Sequence, residues 1–136
     1  MNEICRNLYQ GDAEVAIQAA QNKTVDYIIY LGQEMPYELS HESKVPVIHI
    51  PLKDGENDER RIEAVGEILR YVTTGKVLVA CRKGISRSPL LCLYYLVKYN
   101  YNRRDFRNVE GYIRRKVKSF LPSPKLYWQI RRMLVC

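Results

Sequence analysis

The sequence is poor in the residues that build metal and disulfide frameworks. It has four cysteines, Cys5, Cys81, Cys92 and Cys136, at irregular spacings with no CxxC pair, and two histidines, His41 and His49. Structural zinc needs about four ligands at short paired spacings, so no metal site is expected. Few, scattered cysteines also suit a chain with reduced thiols, which makes a cytoplasmic location the expectation. Long apolar runs are missing too. The longest, residues 90–97, has eight residues, whereas a membrane helix needs about 20. The opening stretch MNEICRNLYQGDAE is polar, so no secretory signal is expected. Repeats, low-complexity tracts and long Gly/Ser linkers are absent. The 136 residues are expected to form one domain, 1–136, large enough to bury a core without staples.

Acidic residues are scarce in one part of the chain only. Residues 1–97 carry 11 Lys or Arg against 13 Asp or Glu, but residues 98–136 carry 11 against 2, and the whole has net charge +7. Such a basic region is either a set of solvated helix faces or an attraction for acidic partners. Arg103, Arg104, Arg114, Arg115, Lys116 and Lys118 belong to it.

What is present is an alternation of strand and helix patterns. LYQG reads as a short strand, and DAEVAIQAAQ as a helix with Asp12 at its cap and Val15, Ala16, Ala19 and Ala20 on one face. VDYIIYLG and VPVIHIPL are β-branched and aromatic runs bounded by Gly32, Pro46 and Pro51. Residues 58–72 place Ile62, Val65, Leu69 and Val72 on one helical stripe, with Asn57 or Asp58 as cap and Gly75 as exit. In KVLVA the four residues after Lys76 are all apolar, as in strands inside parallel sheets. Residues 85–97 are apolar nearly all round and read as a buried helix. Phe106, Val109, Ile113, Val117 and Phe120 mark another helix, and SPKLYWQIRRML opens a last one with Ser123 and Pro124. The pattern predicts a single-domain α/β fold, its central sheet mainly parallel and flanked by helices. In such sheets ligands sit at the carboxyl ends of strands.

Cys81 lies at the carboxyl end of KVLVA, and ACRKGISRSP follows the strand directly. A loop that wraps an anion must turn successive N–H groups inward, and a helix starting there adds its dipole. The cradle is expected to run through Arg82, Lys83, Gly84, Ile85, Ser86 and Arg87. Gly84 permits the tight turn. Arg87 offers a planar fork for two phosphoryl oxygens. The same positive field favours a thiolate at Cys81, a nucleophile toward phosphorus. Ser88 either donates to that sulfur or simply caps the helix. Arg82 and Lys83 are either solvated cations or readers of a highly anionic substrate. The remaining candidates read as structural: Cys92 as core, His49 as a satisfied strand residue, and Tyr94, Tyr95, Tyr99 and Tyr101 as helix faces and a loop.

CRKGISRSP resembles the signature loop of the cysteine-dependent protein tyrosine phosphatases, specifically the small dual-specificity branch. NLYQGDAEVA, IPLKD, LCLYYLVKYNYNRRDF and LPSPKLYWQIRRM are similar to that family's segments in the same order, so the resemblance spans nearly the whole chain. It implies a protein-tyrosine/serine/threonine phosphatase working through a phosphocysteine at Cys81, without metal or other cofactor. It implies phosphorylated proteins as partners, with phosphoinositide or RNA 5′-phosphate as alternatives suited to Arg82 and Lys83. It says nothing of oligomeric state. The family's aspartic general acid maps to Asp54 in IPLKD, 27 residues before Cys81. Glu56, Asp58 and Glu59 are rivals, and Asp54-Gly55 also reads as a turn pair. Two departures stand out. Ala80 occupies the place of a histidine thought to order the loop, which points to a slower or higher-pH enzyme, or to a weakly catalytic phosphate-binding module. Ser123 stands where an asparagine is common, and little is expected to follow from that.

Overall fold

A computed structural model describes residues 1–72, 74–100 and 105–135. Five strands form one sheet: β1 (Asn2–Cys5), β2 (Leu8–Gly11), β3 (Tyr27–Tyr30), β4 (Val47–His49) and β5 (Val77–Ala80). Their order is β1-β2-β5-β3-β4. β1 pairs antiparallel with β2, and every other pairing is parallel. The helices are α1 (Ala13–Asn22), α2 (Tyr37–His41), α3 (Glu59–Val72), α4 (Arg87–Tyr99), α5 (Phe106–Lys116) and α6 (Pro124–Val135).

β5 is the central strand because it is the most apolar. All four of its residues are buried. Its side chains alternate between two cores, as the pleat requires. Val77 and Val79 join Leu8, Ile29, Ile62, Leu69 and Leu90 in the larger core, with α3 to α6. Leu78 and Ala80 join Ala16, Ala20, Tyr30 and Leu39 in the smaller one, with α1 and α2. The sheet is thus covered on both faces, which accounts for the fully apolar VLVA of β5.

Most of the expected elements are present, with boundaries shifted. The helix read from Ile85 begins at Arg87, because residues 81–86 are spent on the loop. The stripe Phe106, Val109, Ile113, Val117 and Phe120 is buried throughout, but the helix stops at Lys116. α1 is capped by Asp12, whose Oδ1 accepts the Val15 N–H at 2.8 Å. Asp58, not Asn57, caps α3, accepting the Arg60 N–H at 3.0 Å. Gly75 closes α3 without a left-handed turn, its N–H donating to the Val72 carbonyl at 3.2 Å. A Cβ there would meet Asp26 Oδ2 at 2.8 Å, so close approach is what calls for glycine. β1 and α2 are additions to the sequence reading. β1 is a polar edge strand with a register shift between Glu3 and Cys5, and α2 has five residues; neither leaves a periodic signal. Tyr101, Arg103, Arg104 and Cys136 lie outside the described residues.

Among the described residues, no helix is long and apolar enough to cross a membrane. His49 behaves as expected, its Nε2 lying 2.7 Å from the Gly32 carbonyl. Arg114, Arg115, Lys116 and Lys118 are exposed. Arg114 pairs with Glu110 at 3.0 Å and lies over the Phe120 ring. Arg114, Arg115 and Lys116 form the last turn of α5, and Lys118 follows it.

Candidate active site

The loop between β5 and α4 wraps the end of the sheet. Cys81 is 2 % exposed at its base. The loop rests on the turn into α1: the Cys81 N–H donates to the Gly11 carbonyl at 3.4 Å, and the Ala13 N–H to the Arg82 carbonyl at 3.2 Å. Gly84 has φ +69°, a left-handed conformation that costs other residues roughly 1–2 kcal/mol. A Cβ there would also press to 2.9 Å from the Asp12 amide nitrogen. Backbone sign and crowding both require the glycine.

Cys81 Sγ lies 3.2 Å from Ser88 Oγ and accepts the Ser88 N–H at 3.4 Å. Ser88 is therefore not a cap. It is the second residue of α4, fully buried, with its hydroxyl turned back toward the sulfur. Arg87 is anchored from the far side, its Nη1 donating to the Leu52 carbonyl at 2.9 Å. This bond ties the loop's arginine to the segment that carries Asp54.

Cys81, Arg82, Lys83, Ile85, Ser86 and Arg87 line a cavity of about 410 Å³ with Asp54 and residues 121–124. Of the four acidic candidates only Asp54 lines it. Glu56 pairs with Arg132 at 3.1 Å. Asp58 is committed to the α3 cap and to Arg60, whose guanidinium holds the Asp58 carboxyl below its ordinary value. Glu59 is in the first turn of α3. A second cavity of about 550 Å³ adjoins the first. It is lined by Tyr30, Gln33, Glu34 and Met35, and shares Arg82 and Arg87.

The segment carrying Asp54 is braced by a hydrogen-bond network that the sequence reading did not foresee. Asn57 Oδ1 accepts the Lys53 N–H at 2.7 Å, and its Nδ2 donates to the Lys53 and Gly55 carbonyls, each at 3.0 Å. Buried Gln129 on α6 clamps Asn57 in turn, accepting its N–H at 2.8 Å. Ser86 Oγ donates to Asp54 Oδ1 at 2.7 Å and accepts the Ser123 N–H at 2.9 Å. Ser123 Oγ donates to the Asp54 carbonyl at 2.8 Å. Ser123 is thus a direct brace of the segment that carries Asp54.

Beneath the loop, Ala80 is fully buried, and its register partner on β3 is Tyr30. The small side chain and the large ring pack in one cluster. Burial, and then proximity to Cys81, raises the Tyr30 hydroxyl above the ordinary tyrosine value, against the pull of Arg87 and Arg82. Cys92 is fully buried in the larger core, and burial pushes its thiol well up. Among the described residues no group of three or more His, Cys, Asp or Glu is arranged to hold a metal ion.

No curated protein is a detectable sequence relative of the chain. Solved structures share its fold at low identity. Human DUSP28 superposes with TM-score 0.79 at 18% identity, over 97% of this chain and 94% of that one. A mouse putative dual specificity phosphatase, complexed with zinc tungstate, gives 0.83 at 16% over 98% and 86%. OH1 from the Orf virus, described as a tyrosine phosphatase with triple substrate specificity, gives 0.78 at 20% over 100% and 87%. The family described as dual specificity phosphatase, catalytic domain, matches residues 8–134. That match takes in every strand but β1 and nearly all of the helical layer. The chain belongs to the dual specificity phosphatase family and is a phosphatase.

Proposed function

We propose that the protein hydrolyses phosphomonoesters of phosphorylated proteins through a covalent phosphocysteine on Cys81. The observation that carries the reading is the convergence of Cys81, Arg87 and Asp54 on one cavity of about 410 Å³. Arg87 and the loop amides hold the phosphoryl oxygens. The Cys81 thiolate attacks phosphorus as the ester P–O bond breaks, and the Asp54 carboxyl passes its proton to the leaving oxygen. Water then attacks phosphorus, Asp54 takes its proton, and the P–S bond breaks with electrons returning to sulfur. Ser88, 3.2 Å from that sulfur, donates to the departing thiolate. No metal is needed at any step. The dependence on a free thiol suits a reducing, intracellular compartment.

One observation favours a second substrate class. Arg82 lines both the Cys81 cavity and its neighbour of about 550 Å³, and Lys83 is exposed beside it. That pair suits a phosphoinositide or an RNA 5′-phosphate, whose extra phosphates need extra cations. The deciding experiment measures turnover of an aryl phosphate in EDTA, then compares rates on phosphopeptides, phosphoinositides and 5′-triphosphorylated RNA. Turnover in EDTA, abolished by Cys81→Ser, is expected, with phosphopeptides the best substrates. Phosphate binding without turnover would reduce the site to a binding module.

A further inference from the structure

Gln10 is a fully buried polar residue on β2, next to Gly11, whose carbonyl accepts the Cys81 N–H. Its side-chain amide is completely used. Nε2 donates to the Gly84 carbonyl at 2.7 Å and to Ser88 Oγ at 2.8 Å, while Oε1 accepts the Asn2 Nδ2–H at 3.0 Å. The neighbouring even position of the strand, Leu8, is apolar core. An amide in that row costs desolvation unless its bonds are worth more.

The acceptors are the two points that decide the loop's geometry. A carbonyl can only accept, so the amide orientation is forced, with Nε2 toward Gly84. In a trans peptide the carbonyl and the following N–H point in opposite directions. Holding the Gly84 carbonyl therefore sets the direction of the Ile85 N–H, one of the cradle amides. Ser88 Oγ, having accepted from Gln10, keeps a single hydrogen. Its remaining partners are Cys81 Sγ at 3.2 Å and the Gly11 carbonyl at 3.4 Å. Gln10 thus turns that hydrogen away from itself, toward Cys81 Sγ and the Gly11 carbonyl, of which the sulfur is the nearer.

We infer that Gln10 is a positioning residue for the phosphatase reaction: from β2 it holds the phosphate loop at Gly84 and orients Ser88 as the donor to Cys81. Ala80 gives this a particular weight here. It faces the smaller core, on the opposite side of the sheet from the Leu8 row, and its methyl group can make no hydrogen bond to the loop. The loop is ordered from the Gln10 side instead.

The inference rests on the phosphocysteine reading, and the test separates the two. Gln10→Leu is made in the full chain and in a Ser88→Ala background. Turnover of an aryl phosphate, inhibition by orthovanadate and alkylation of Cys81 at neutral pH are then measured. In the otherwise unaltered chain we expect Gln10→Leu to lower kcat about tenfold, weaken orthovanadate several-fold and slow alkylation. In the Ser88→Ala background the same change should cost distinctly less, because one of the two bonds is already gone. Equal factors in both backgrounds, or no loss in a folded variant, overturn the assignment. If Gln10→Leu does not fold, NMR of the unaltered protein decides. The Gln10 side-chain amide signals should be protected from exchange and should move when Cys81 is alkylated. Signals that exchange freely or stay in place refute it. Should Cys81→Ser retain turnover, it is the phosphocysteine reading that falls; loss of turnover there with normal Gln10 variants refutes only the role of Gln10.

Discussion

Ser86 holds Asp54 against the phosphate loop: its hydroxyl donates to Asp54 Oδ1 at 2.7 Å while its oxygen accepts the Ser123 N–H at 2.9 Å. The second bond occupies the serine oxygen and turns its hydrogen toward the carboxylate. Asp54 is therefore aimed by a residue of the loop it serves. Ser86→Ala is expected to lower kcat about tenfold with little change in KM, since a bond to a charged acceptor is worth about 1.5–3 kcal/mol. Asp54→Asn should lower kcat by about 10²–10³. Steady-state kinetics on an aryl phosphate checks both: an unchanged kcat in Asp54→Asn would remove Asp54 from the reaction, and one in Ser86→Ala would remove only the aiming role of Ser86.

Arg87 does two things with one guanidinium. It faces the cavity and it binds the Leu52 carbonyl at 2.9 Å. Lysine keeps the charge but lacks the fork. Arg87→Lys should therefore raise the inhibition constant for phosphate and lower kcat together, by about tenfold or more each. A variant with unaltered phosphate inhibition would show that charge alone suffices.

Gly84→Ala tests the loop's backbone. The substitution meets a positive φ and a contact of 2.9 Å with the Asp12 amide. It should destabilise the fold by about 1–3 kcal/mol and weaken phosphate binding at the same time. Urea denaturation and orthovanadate inhibition measure the two effects. A stable variant with full phosphate affinity would mean that the loop relaxes at no cost.

Cys81 and Cys92 both belong to the larger core, yet of the two only Cys81 lines the cavity. Burial pushes the Cys92 thiol well up, so it stays neutral. Iodoacetamide near neutral pH should label Cys81 and leave Cys92 untouched until the chain unfolds. Mass spectrometry of the digested protein reads this directly, and early labelling of Cys92 would contradict its place in the core.

The hydroxyl of Tyr94 is buried without a hydrogen-bond partner among the described residues. Burial, followed by the charges of Glu63, Glu67 and Glu59, raises it to about 12. The unfolded chain gives up this proton at about 10. The corresponding stability is therefore complete below about 10 and is lost as pH rises toward the folded value. Tyr94→Phe should leave stability unchanged or raise it by up to about 1 kcal/mol at neutral pH, and should flatten the alkaline decline. Urea midpoints across that range test it, and a large loss at neutral pH would reveal a partner for the hydroxyl.

The loop after β5 was legible as the proposed phosphate site because its residues are neighbours along the chain. Cysteine, glycine and arginine at fixed offsets between an apolar strand and a buried helix have few uses besides holding an anion over a thiolate. The long helices were legible from period, and β5 from its unbroken apolarity. β1 and α2 were not, being a polar edge and a single short turn of helix. Gln10 was hidden in a strand whose extent was read correctly, because a polar residue in a short strand has no face until the sheet supplies one. The bond from Ser123 to the Asp54 carbonyl was hidden for the same reason.

What the sequence determined by itself is the class of fold and the candidates for the reacting groups, since periodicity, caps and the loop's spacing are properties of neighbours along the chain. Tertiary structure alone decided which of Asp54, Glu56, Asp58 and Glu59 shares a cavity with Cys81. It alone brought Gln10 to Gly84, 74 positions further along the chain, and Ser123 to Asp54, 69 positions back. A hydrogen bond is a relation of distance and direction between two groups, and neither is fixed until the sheet and its helices have packed.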